Sequence, residues 1–223
     1  MKRGRIFSFE GPEGCGKTRS REFLSNYLIS NSYETLTFRE PGGVALSEKI
    51  RDLLKNPTYD FHMDDIAELL LFSSARAQLI HEKIIPELKA GKIILLDRFY
   101  DSTTAYQGYA NGMNLEEIMF INNLATRGIK PDITFLFEPH PRFNMDQIDV
   151  REFGQKDRIE MKGENYQRKV WEGYLKIAEN EPLRVKKIPY IGGVPGETKE
   201  DVEGNMQKKY SILLGHIMPL LEK

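Results

Sequence analysis

Eight consecutive residues near the amino terminus have the types and spacing of a phosphate-binding loop. The segment Gly11-Pro12-Glu13-Gly14-Cys15-Gly16-Lys17-Thr18 satisfies the pattern G-x-x-x-x-G-K-[ST]. Glycines allow successive backbone N–H groups to surround a phosphate, and the start of the following helix adds the positive end of its dipole. Lys17 would contribute a point charge to the outer phosphates, and Thr18 would place a hydroxyl group on magnesium. The segment therefore predicts a site for a nucleoside triphosphate with Mg²⁺.

A carboxylate further along the chain fits the same chemistry. Asp97 directly follows the apolar run of residues 93–96, where a second acidic element of such sites orients magnesium or its waters. An aspartate at the end of a strand is also common as a helix cap. Because it accompanies a phosphate loop, we interpret Asp97 as part of the metal site.

Three arginines occupy positions that suit a second anion. Arg39 and Arg98 each follow a predicted strand, and Arg76 shares a helix with Phe72. A single arginine most often forms a solvated ion pair. Ligands of open α/β sheets, however, bind at the carboxyl ends of the strands, and a guanidinium group suits a terminal phosphate. Two such arginines beside a phosphate loop predict a kinase whose acceptor is itself phosphorylated.

The hydrophobic pattern predicts the elements that carry these residues. Short apolar strands are expected at residues 5–10, 35–38, 93–96, 133–137 and 185–188, with helical stretches between them. Near-continuous apolar runs are typical of strands buried on both faces. We therefore expect an α/β fold with three layers, in which helices flank a five-stranded parallel sheet.

One long helix is predicted from Asp64 to about residue 85, with Asp64 or Asp65 as its N-cap and Pro86 beyond its end. At 100° per residue, Phe72 and Arg76 project from one face. The same spacing predicts that a different face packs on the core, and its members are Ile66, Leu70, Ser73, Ala77, Ile80 and Ile84.

Composition excludes several classes of protein. Of the 223 residues, 40% are hydrophobic and 29% charged, which is typical of a globular chain. Thirty-two Lys and Arg residues oppose 33 Asp and Glu residues, and the net charge of −1 argues against a nucleic-acid partner. The single cysteine, Cys15, excludes an internal disulfide and a cysteine zinc site. No segment has the apolar length of a signal peptide or a membrane span, so we expect a cytoplasmic protein with no membrane partner.

Seven blocks in order along the chain resemble the thymidylate kinase family. They are residues 9–18 (FEGPEGCGKT), 39–43 (REPGG), 70–76 (LLFSSAR), 97–99 (DRF), 102–107 (STTAYQ), 131–134 (PDIT) and 157–160 (DRIE). The resemblance implies a P-loop nucleoside monophosphate kinase with ATP and dTMP as substrates and Mg²⁺ as cofactor. It also implies one domain, residues 1–223, with a lid at about residues 139–162, and a homodimer. No heptad or apolar stripe in the sequence indicates the dimer interface.

The same resemblance assigns residues to the acceptor nucleotide. Phe72 would stack on the thymine, Arg76 would hydrogen-bond a carbonyl group of the base, and Thr103 would also bond the base. Gln107 would line the pocket. Tyr106 occupies the position of an aromatic ring that crowds the 2′ carbon of the sugar, which implies a preference for deoxynucleotides.

By the same matching, Arg39 and Arg98 would bind the acceptor phosphate. Glu13 would hydrogen-bond a hydroxyl group of the acceptor sugar, because an acid that only faced phosphates would repel them. The phosphate loop itself contains no arginine, so the resemblance implies that the lid supplies one. Its candidates are Arg151 and Arg158, although acidic residues balance the basic ones in this segment. The expected catalytic residues are therefore Lys17, Asp97, Arg98, Arg151 and Arg158.

Two alternatives to a dTMP kinase remain at this point. A kinase of another deoxynucleoside monophosphate, such as dUMP, is one, because a methyl group in an apolar pocket contributes only about 1–3 kcal/mol of discrimination. The other is a nucleotide-binding regulatory protein with weak catalysis, which the charge-balanced lid suggests. A regulatory GTPase would need an N-K-x-D motif, which the sequence lacks.

Overall fold

The computed structural model describes residues 4–139, 157–191 and 198–222. Its centre is a five-stranded parallel sheet with the strand order β2-β3-β1-β4-β5. The strands are β1 (Arg5–Glu10), β2 (Thr35–Arg39), β3 (Ile93–Asp97), β4 (Ile133–Phe137) and β5 (Val185–Ile188). All five predicted strands are confirmed, and β2 and β3 each extend one residue further than predicted.

Helices connect the strands. The α-helices in the described ranges are α1 (Lys17–Ser30), α2 (Ala45–Lys55), α3 (Asp65–Leu79), α4 (Ile85–Lys89), α5 (Tyr100–Thr103), α6 (Leu115–Thr126), α7 (Glu164–Asn180) and α8 (Lys199–Leu221). Two π-helical segments, Ile80–Ile84 and Thr104–Ala110, follow α3 and α5, and a 3₁₀ turn at Glu160–Lys162 precedes α7. None of these described helices is both long and apolar enough to cross a membrane.

The sheet is covered on both faces, as the apolar runs predicted. Successive residues of a strand point to opposite faces, and β1 shows the consequence. Phe9 belongs to a buried cluster with Leu24 of α1 and Leu213 of α8. Ile6 points to the opposite face of the sheet and is buried there in a second cluster, with Leu79 of α3. The predicted three-layer α/β architecture is therefore confirmed.

The helix predicted for residues 64–85 begins as expected but continues past its predicted end. Asp64 caps it, since its carboxylate accepts the N–H of Ile66 at 2.9 Å. The π-helical segment Ile80–Ile84 then leads directly into α4, whose first turn contains Pro86. The expectation that Pro86 lies beyond the helix is wrong. The change from π-helical to α-helical hydrogen bonding at this junction interrupts the regular i to i−4 bonds, and a proline, which has no N–H to donate, is tolerated there.

The apolar face predicted for this helix is buried only toward its carboxyl end. Ile80 and Ile84 are fully buried, whereas Ile66 and Leu70 are 59% and 50% exposed. The sheet strands cluster with the end of α3 and the segment after it. Upstream, α3 packs against α2 and α6 instead, and these neighbours leave Ile66 and Leu70 uncovered.

Helix α7 packs closely against the π-helical segment Thr104–Ala110. A Cβ on Gly173 of α7 would lie 2.7 Å from the Cβ of Tyr109, closer than two side-chain carbon atoms approach each other without a clash. Glycine therefore permits the approach, and the approach holds in place the segment that carries Tyr106 and Gln107.

Two predicted segments fall largely outside the described residues. Of the lid predicted at residues 139–162, the structure describes residue 139 and residues 157–162. The segment of residues 191–198 (IGGVPGET), whose glycines and proline predict a loop before the last helix, is described only at residues 191 and 198.

Candidate active site

The phosphate loop connects the carboxyl end of β1 to the start of α1. Gly11 and Gly16 have φ angles of 131° and 89°, in the region that favours glycine. A side chain on Gly11 would place its Cβ 2.5 Å from the carbonyl oxygen of Phe137. Helix α1 has neither a side-chain cap nor an acidic residue in its first turn. Its first N–H groups are therefore available to an anion.

Lys17 is folded over this loop. Its ammonium group donates to the carbonyl oxygen of Gly11 at 2.9 Å and also to that of Pro12, and the residue is 5% exposed. Oε2 of Glu13 lies 3.9 Å from the same nitrogen. The buried thiol of Cys15 donates to the carbonyl oxygen of Pro12 at 3.0 Å. The ammonium group thus draws the loop together.

The two residues predicted to bind magnesium lie at the ends of neighbouring elements. Thr18 is exposed in the first turn of α1. Asp97 ends β3 beside Phe9 of β1, and its Oδ2 accepts a hydrogen bond from Arg21 at 3.2 Å. The described residues contain no cluster of three or more His, Cys, Asp or Glu side chains suited to a metal. One hydroxyl and one carboxylate suit Mg²⁺, which binds to few protein oxygens and takes its other ligands from phosphates and water.

A cleft beside the loop contains most residues predicted to bind the acceptor. Those lining it are Glu13, Phe72, Arg76, Arg98, Thr103, Tyr106 and Gln107. Helix α3 contributes Phe72 and Arg76 from one face. Helix α5 and the π-helical segment after it contribute Thr103, Tyr106 and Gln107.

Arg76 is fixed at one end of this cleft by three partners. Its Nε donates to Oε2 of Glu40 at 2.7 Å, Nη1 to Oδ1 of Asn122 at 3.1 Å, and Nη2 to Oγ1 of Thr103 at 3.0 Å. Burial raises the pKa of Glu40, although the charge of Arg76 opposes that rise. The other oxygen of Glu40, Oε1, is buried without a hydrogen-bond partner among the described residues. The guanidinium group is therefore held rigidly before any ligand arrives.

Two residues that do not line the cleft, Glu68 and Tyr174, hold Gln107 and Tyr106 in place. Nε2 of Gln107 donates to Oε1 of Glu68 at 2.8 Å. The ring of Tyr106 meets that of Tyr174 edge-on, with 6.4 Å between ring centres. Burial raises the pKa of Tyr106 to about 12, so its phenol stays neutral at physiological pH.

Arg98 connects this cleft to the phosphate loop. Its Nη2 donates to Oε1 of Glu13 at 2.5 Å, and its Nη1 donates to Tyr174 at 3.1 Å and to Ser102 at 3.3 Å. Its backbone has a φ of 65°, which a residue with a side chain adopts at a cost. Lys17 and then Arg98 hold the pKa of Glu13 well below its usual range.

Behind Arg98 lies a buried acid, Glu10. It accepts from the N–H of Phe99 at 2.7 Å, the hydroxyl of Ser102 at 2.7 Å and the phenol of Tyr174 at 2.8 Å. Burial and then the charge of Asp101 raise the pKa of Glu10 to about 7. The side chains that hold Arg98 are thus themselves held by Glu10.

Two of the described arginines predicted for the site, Arg39 and Arg158, do not line the cleft. Arg39 is exposed, and its Nη2 donates to Oε2 of Glu48 at 2.9 Å. Arg158 donates to Oε2 of Glu68 at 2.6 Å and does not line the cleft. Arg151 lies outside the described residues.

Among the residues that the structure places in or behind the cleft, the sequence interpretation did not single out Glu10, Glu40, Lys55, Asp157 and Tyr174. Glu10 carried the same signal as Asp97, because it ends an apolar strand. Glu40 and Asp157 lie inside the blocks 39–43 and 157–160. Nothing local to Lys55 or Tyr174 distinguishes them from other residues of amphipathic helices.

The chain is similar to known proteins over most of its length. The sequence profile of a family described as thymidylate kinase matches residues 9–190. A thymidylate kinase of Thermoanaerobacter sp. (strain X514) is 42% identical over 192 residues, which cover 86% of this chain and 91% of that protein. One from Geobacillus sp. (strain WCH70) is 45% identical over 177 residues, covering 79% of this chain and 84% of that protein. A crystal structure of thymidylate kinase from Ehrlichia chaffeensis has a TM-score of 0.67 and 32% identity, covering 83% of this chain and 92% of that one.

Proposed function

The chain belongs to the thymidylate kinase family, and from this premise we propose how its residues divide substrate binding and phosphoryl transfer. The enzyme transfers the γ-phosphoryl group of ATP to dTMP, giving dTDP and ADP. One observation supports the assignment of the site: a single cleft has Phe72 and Arg76 at one end and reaches the phosphate loop through Arg98 and Glu13. A pyrimidine nucleoside monophosphate offers a planar base and an anion to those two ends. The comparisons favour neither of the two alternatives.

At the base end, Phe72 stacks on thymine and Arg76 bonds a carbonyl oxygen of the base. A guanidinium group has five N–H donors, and Glu40, Asn122 and Thr103 take three of those of Arg76. Two donors remain for the base.

At the sugar, Tyr106 selects against a 2′-hydroxyl group. Its ring lines the cleft and contacts Tyr174, which limits how far it can retreat. Glu13 hydrogen-bonds the sugar hydroxyl. Its low pKa supports this role, because a carboxylate is a strong acceptor. Thr103 and Gln107 complete the wall against the base.

Arg98 and Arg39 bind the acceptor phosphate. The several bonds that fix Arg98 at the junction with the phosphate loop support its role. Arg39 would exchange its exposed partner Glu48 for the phosphate, which costs little because surface ion pairs contribute about 0–1 kcal/mol.

Residues 11–18 bind the ATP phosphates, and Thr18 and Asp97 hold the magnesium ion. When bound, Mg²⁺ neutralises the phosphate oxygens and helps to orient them. Lys17 supplies a further charge at the β and γ phosphates.

Transfer consists of attack by an oxygen of the dTMP phosphate on the γ phosphorus of ATP, with release of ADP. Lys17 and Arg98 place donor and acceptor in line and neutralise the charge that spreads over the transferred group. Arg151 and Arg158 of the lid add positive charge there. For this, the side chain of Arg158 would have to leave Glu68 and the carbonyl oxygen of Leu54.

The chain forms one domain, residues 1–223, and assembles as a homodimer in the cytoplasm. An exposed apolar surface supports the dimer, and it consists of Ile66, Leu70, Met119, Phe120 and Leu124. These side chains come from α3 and α6, which pack against each other. The amino-acid pattern alone did not reveal this surface.

An ADP-release assay with a panel of nucleoside monophosphates tests the function. We expect turnover with dTMP, and turnover with dUMP reduced by about 10- to 200-fold in kcat/KM, the discrimination that one methyl group provides. Lys17→Ala should abolish ADP release. Absence of turnover with dTMP, or faster turnover with another acceptor, would contradict the assignment.

A further inference from the structure

Lys55, the last residue of α2, lines the acceptor cleft together with Glu13 and Arg98. Its ammonium group lies 2.7 Å from Oδ2 of Asp157, and the two side chains are 25% and 18% exposed. The charge of Lys55 also contributes to lowering the pKa of Glu13. Lys55 therefore acts on the end of the cleft that adjoins the phosphate loop.

The ion pair with Asp157 is not needed to attach α2 to the segment around residue 158. The N–H of Arg158 donates to the carbonyl oxygen of Lys55 at 3.1 Å, and Nε of Arg158 donates to that of Leu54 at 2.8 Å. These bonds join the two segments without the ammonium group. The ammonium group of Lys55 is therefore not required for this attachment and can serve another role.

The charges in the cleft indicate that this role is to bind an anion. The cationic side chains lining it, within the described residues, are Lys55, Arg76 and Arg98. Arg76 is fixed at the base end, and Arg39 lies outside the cleft. A phosphate monoester carries a charge of about −1.5 to −2 at pH 7. Arg98 is partly neutralised by Glu13, and Arg39 can reach the phosphate only by leaving Glu48, so a further cation is needed to balance that charge.

We propose that Lys55 is an additional ligand of the acceptor phosphate, aimed by Asp157. An ammonium group has three donors, so Lys55 can keep its bond to Asp157 and still donate to a phosphate oxygen. This inference rests on the proposed function, because it concerns how the same cleft recognises the phosphate of dTMP.

The test compares binding of dTMP with binding of thymidine, which lacks the phosphate, by titration calorimetry on the full chain. The quantity measured is the ratio of the two Kd values in the wild type, Lys55→Met, Lys55→Gln and Lys55→Arg. The matched control is Lys92→Met. Lys92 also forms ion pairs, with Glu87 and Glu34, but it precedes β3 and does not line the cleft.

In Lys55→Met and Lys55→Gln we expect dTMP to bind about 10- to 100-fold more weakly, as for loss of one charge-assisted hydrogen bond. Thymidine affinity should change less than about twofold on the same reasoning. Lys55→Arg should retain most of the preference for dTMP, and Lys92→Met all of it. Using two neutral variants keeps the test valid if one fails to fold.

An unchanged ratio in both neutral variants would overturn the role of Lys55, even if both ligands bound more weakly, since a structural role affects thymidine and dTMP alike. A wild-type chain that bound no dTMP would instead overturn the proposed function. The two failures are therefore distinguishable.

Discussion

Nη2 of Arg98 lies 2.5 Å from Oε1 of Glu13, and this contact joins the residue that follows β3 to the loop that follows β1. The two strands are neighbours in the sheet. The acceptor site and the phosphate loop are consequently connected by a charged pair, and Arg98 is held from its other side by Ser102 and Tyr174.

Replacing Arg98 should impair transfer far more than folding. We expect Arg98→Ala to lower kcat/KM for dTMP by about 100- to 1,000-fold, because a fixed donor to the reacting phosphates is lost. Steady-state kinetics check this, with Arg168→Ala, an exposed arginine of α7, as the control. A loss smaller than about threefold would show that Arg98 does not contact the acceptor.

Glu10 should make stability depend on pH. Its pKa is about 7 in the folded chain and near 4.5 in the unfolded chain, so the unfolded chain loses its proton first. The free energy of unfolding should therefore fall as pH rises from 4.5 to 7 and then stay level, by about 3 kcal/mol in total. Urea unfolding of Glu10→Gln should show a decrease smaller by this amount, whereas Glu22→Gln, at an exposed position of α1, should retain it in full. Parallel pH profiles for the wild type and Glu10→Gln would contradict the assignment.

The buried pair of Arg76 and Glu40 predicts a non-additive double mutant. Arg76→Met should lower the free energy of unfolding by about 3–5 kcal/mol, because it leaves a buried carboxylate without its partner. Glu40→Leu added to Arg76→Met should recover much of that loss. Chemical denaturation of Arg76→Met, Glu40→Leu and the double variant measures the coupling, and simple additivity would be the contrary result. Arg76→Met and the double variant should both bind thymidine more weakly than the wild type does.

Two helical glycines should respond oppositely to alanine. Gly173→Ala should destabilise the chain by about 1–3 kcal/mol, since its Cβ meets the side chain of Tyr109. Gly215→Ala in α8 should stabilise it by about 0.5–1 kcal/mol, since nothing lies within 4 Å of the new Cβ. Urea unfolding of both variants measures the change in the free energy of unfolding. A change of the same sign in both would refute the packing argument.

The apolar surface on α3 and α6 should control assembly. Phe120→Asp should convert the dimer to a monomer in analytical ultracentrifugation, because it buries a charge in an apolar contact. Leu183→Asp, at a side chain that is 90% exposed outside this surface, is the control and should leave the dimer intact. If Phe120→Asp sediments as the wild type does, the interface lies elsewhere.

The strands, the phosphate loop and the shared face of Phe72 and Arg76 were predictable because each depends on residues close in the sequence. A buried parallel strand requires a short apolar run, and the loop requires glycines at fixed spacing. Helical periodicity likewise places residues four apart on one side.

The sequence alone could not predict which charged residues form ion pairs with each other. Arg76 and Glu40 are 36 positions apart and Arg98 and Glu13 are 85 apart, and only the tertiary packing of their elements brings them together. Tertiary contacts also decided that Arg39 lies outside the cleft and that Ile66 and Leu70 stay exposed. The physical reason is that periodicity determines which residues share a face, whereas burial and ion pairing depend on which distant element covers that face.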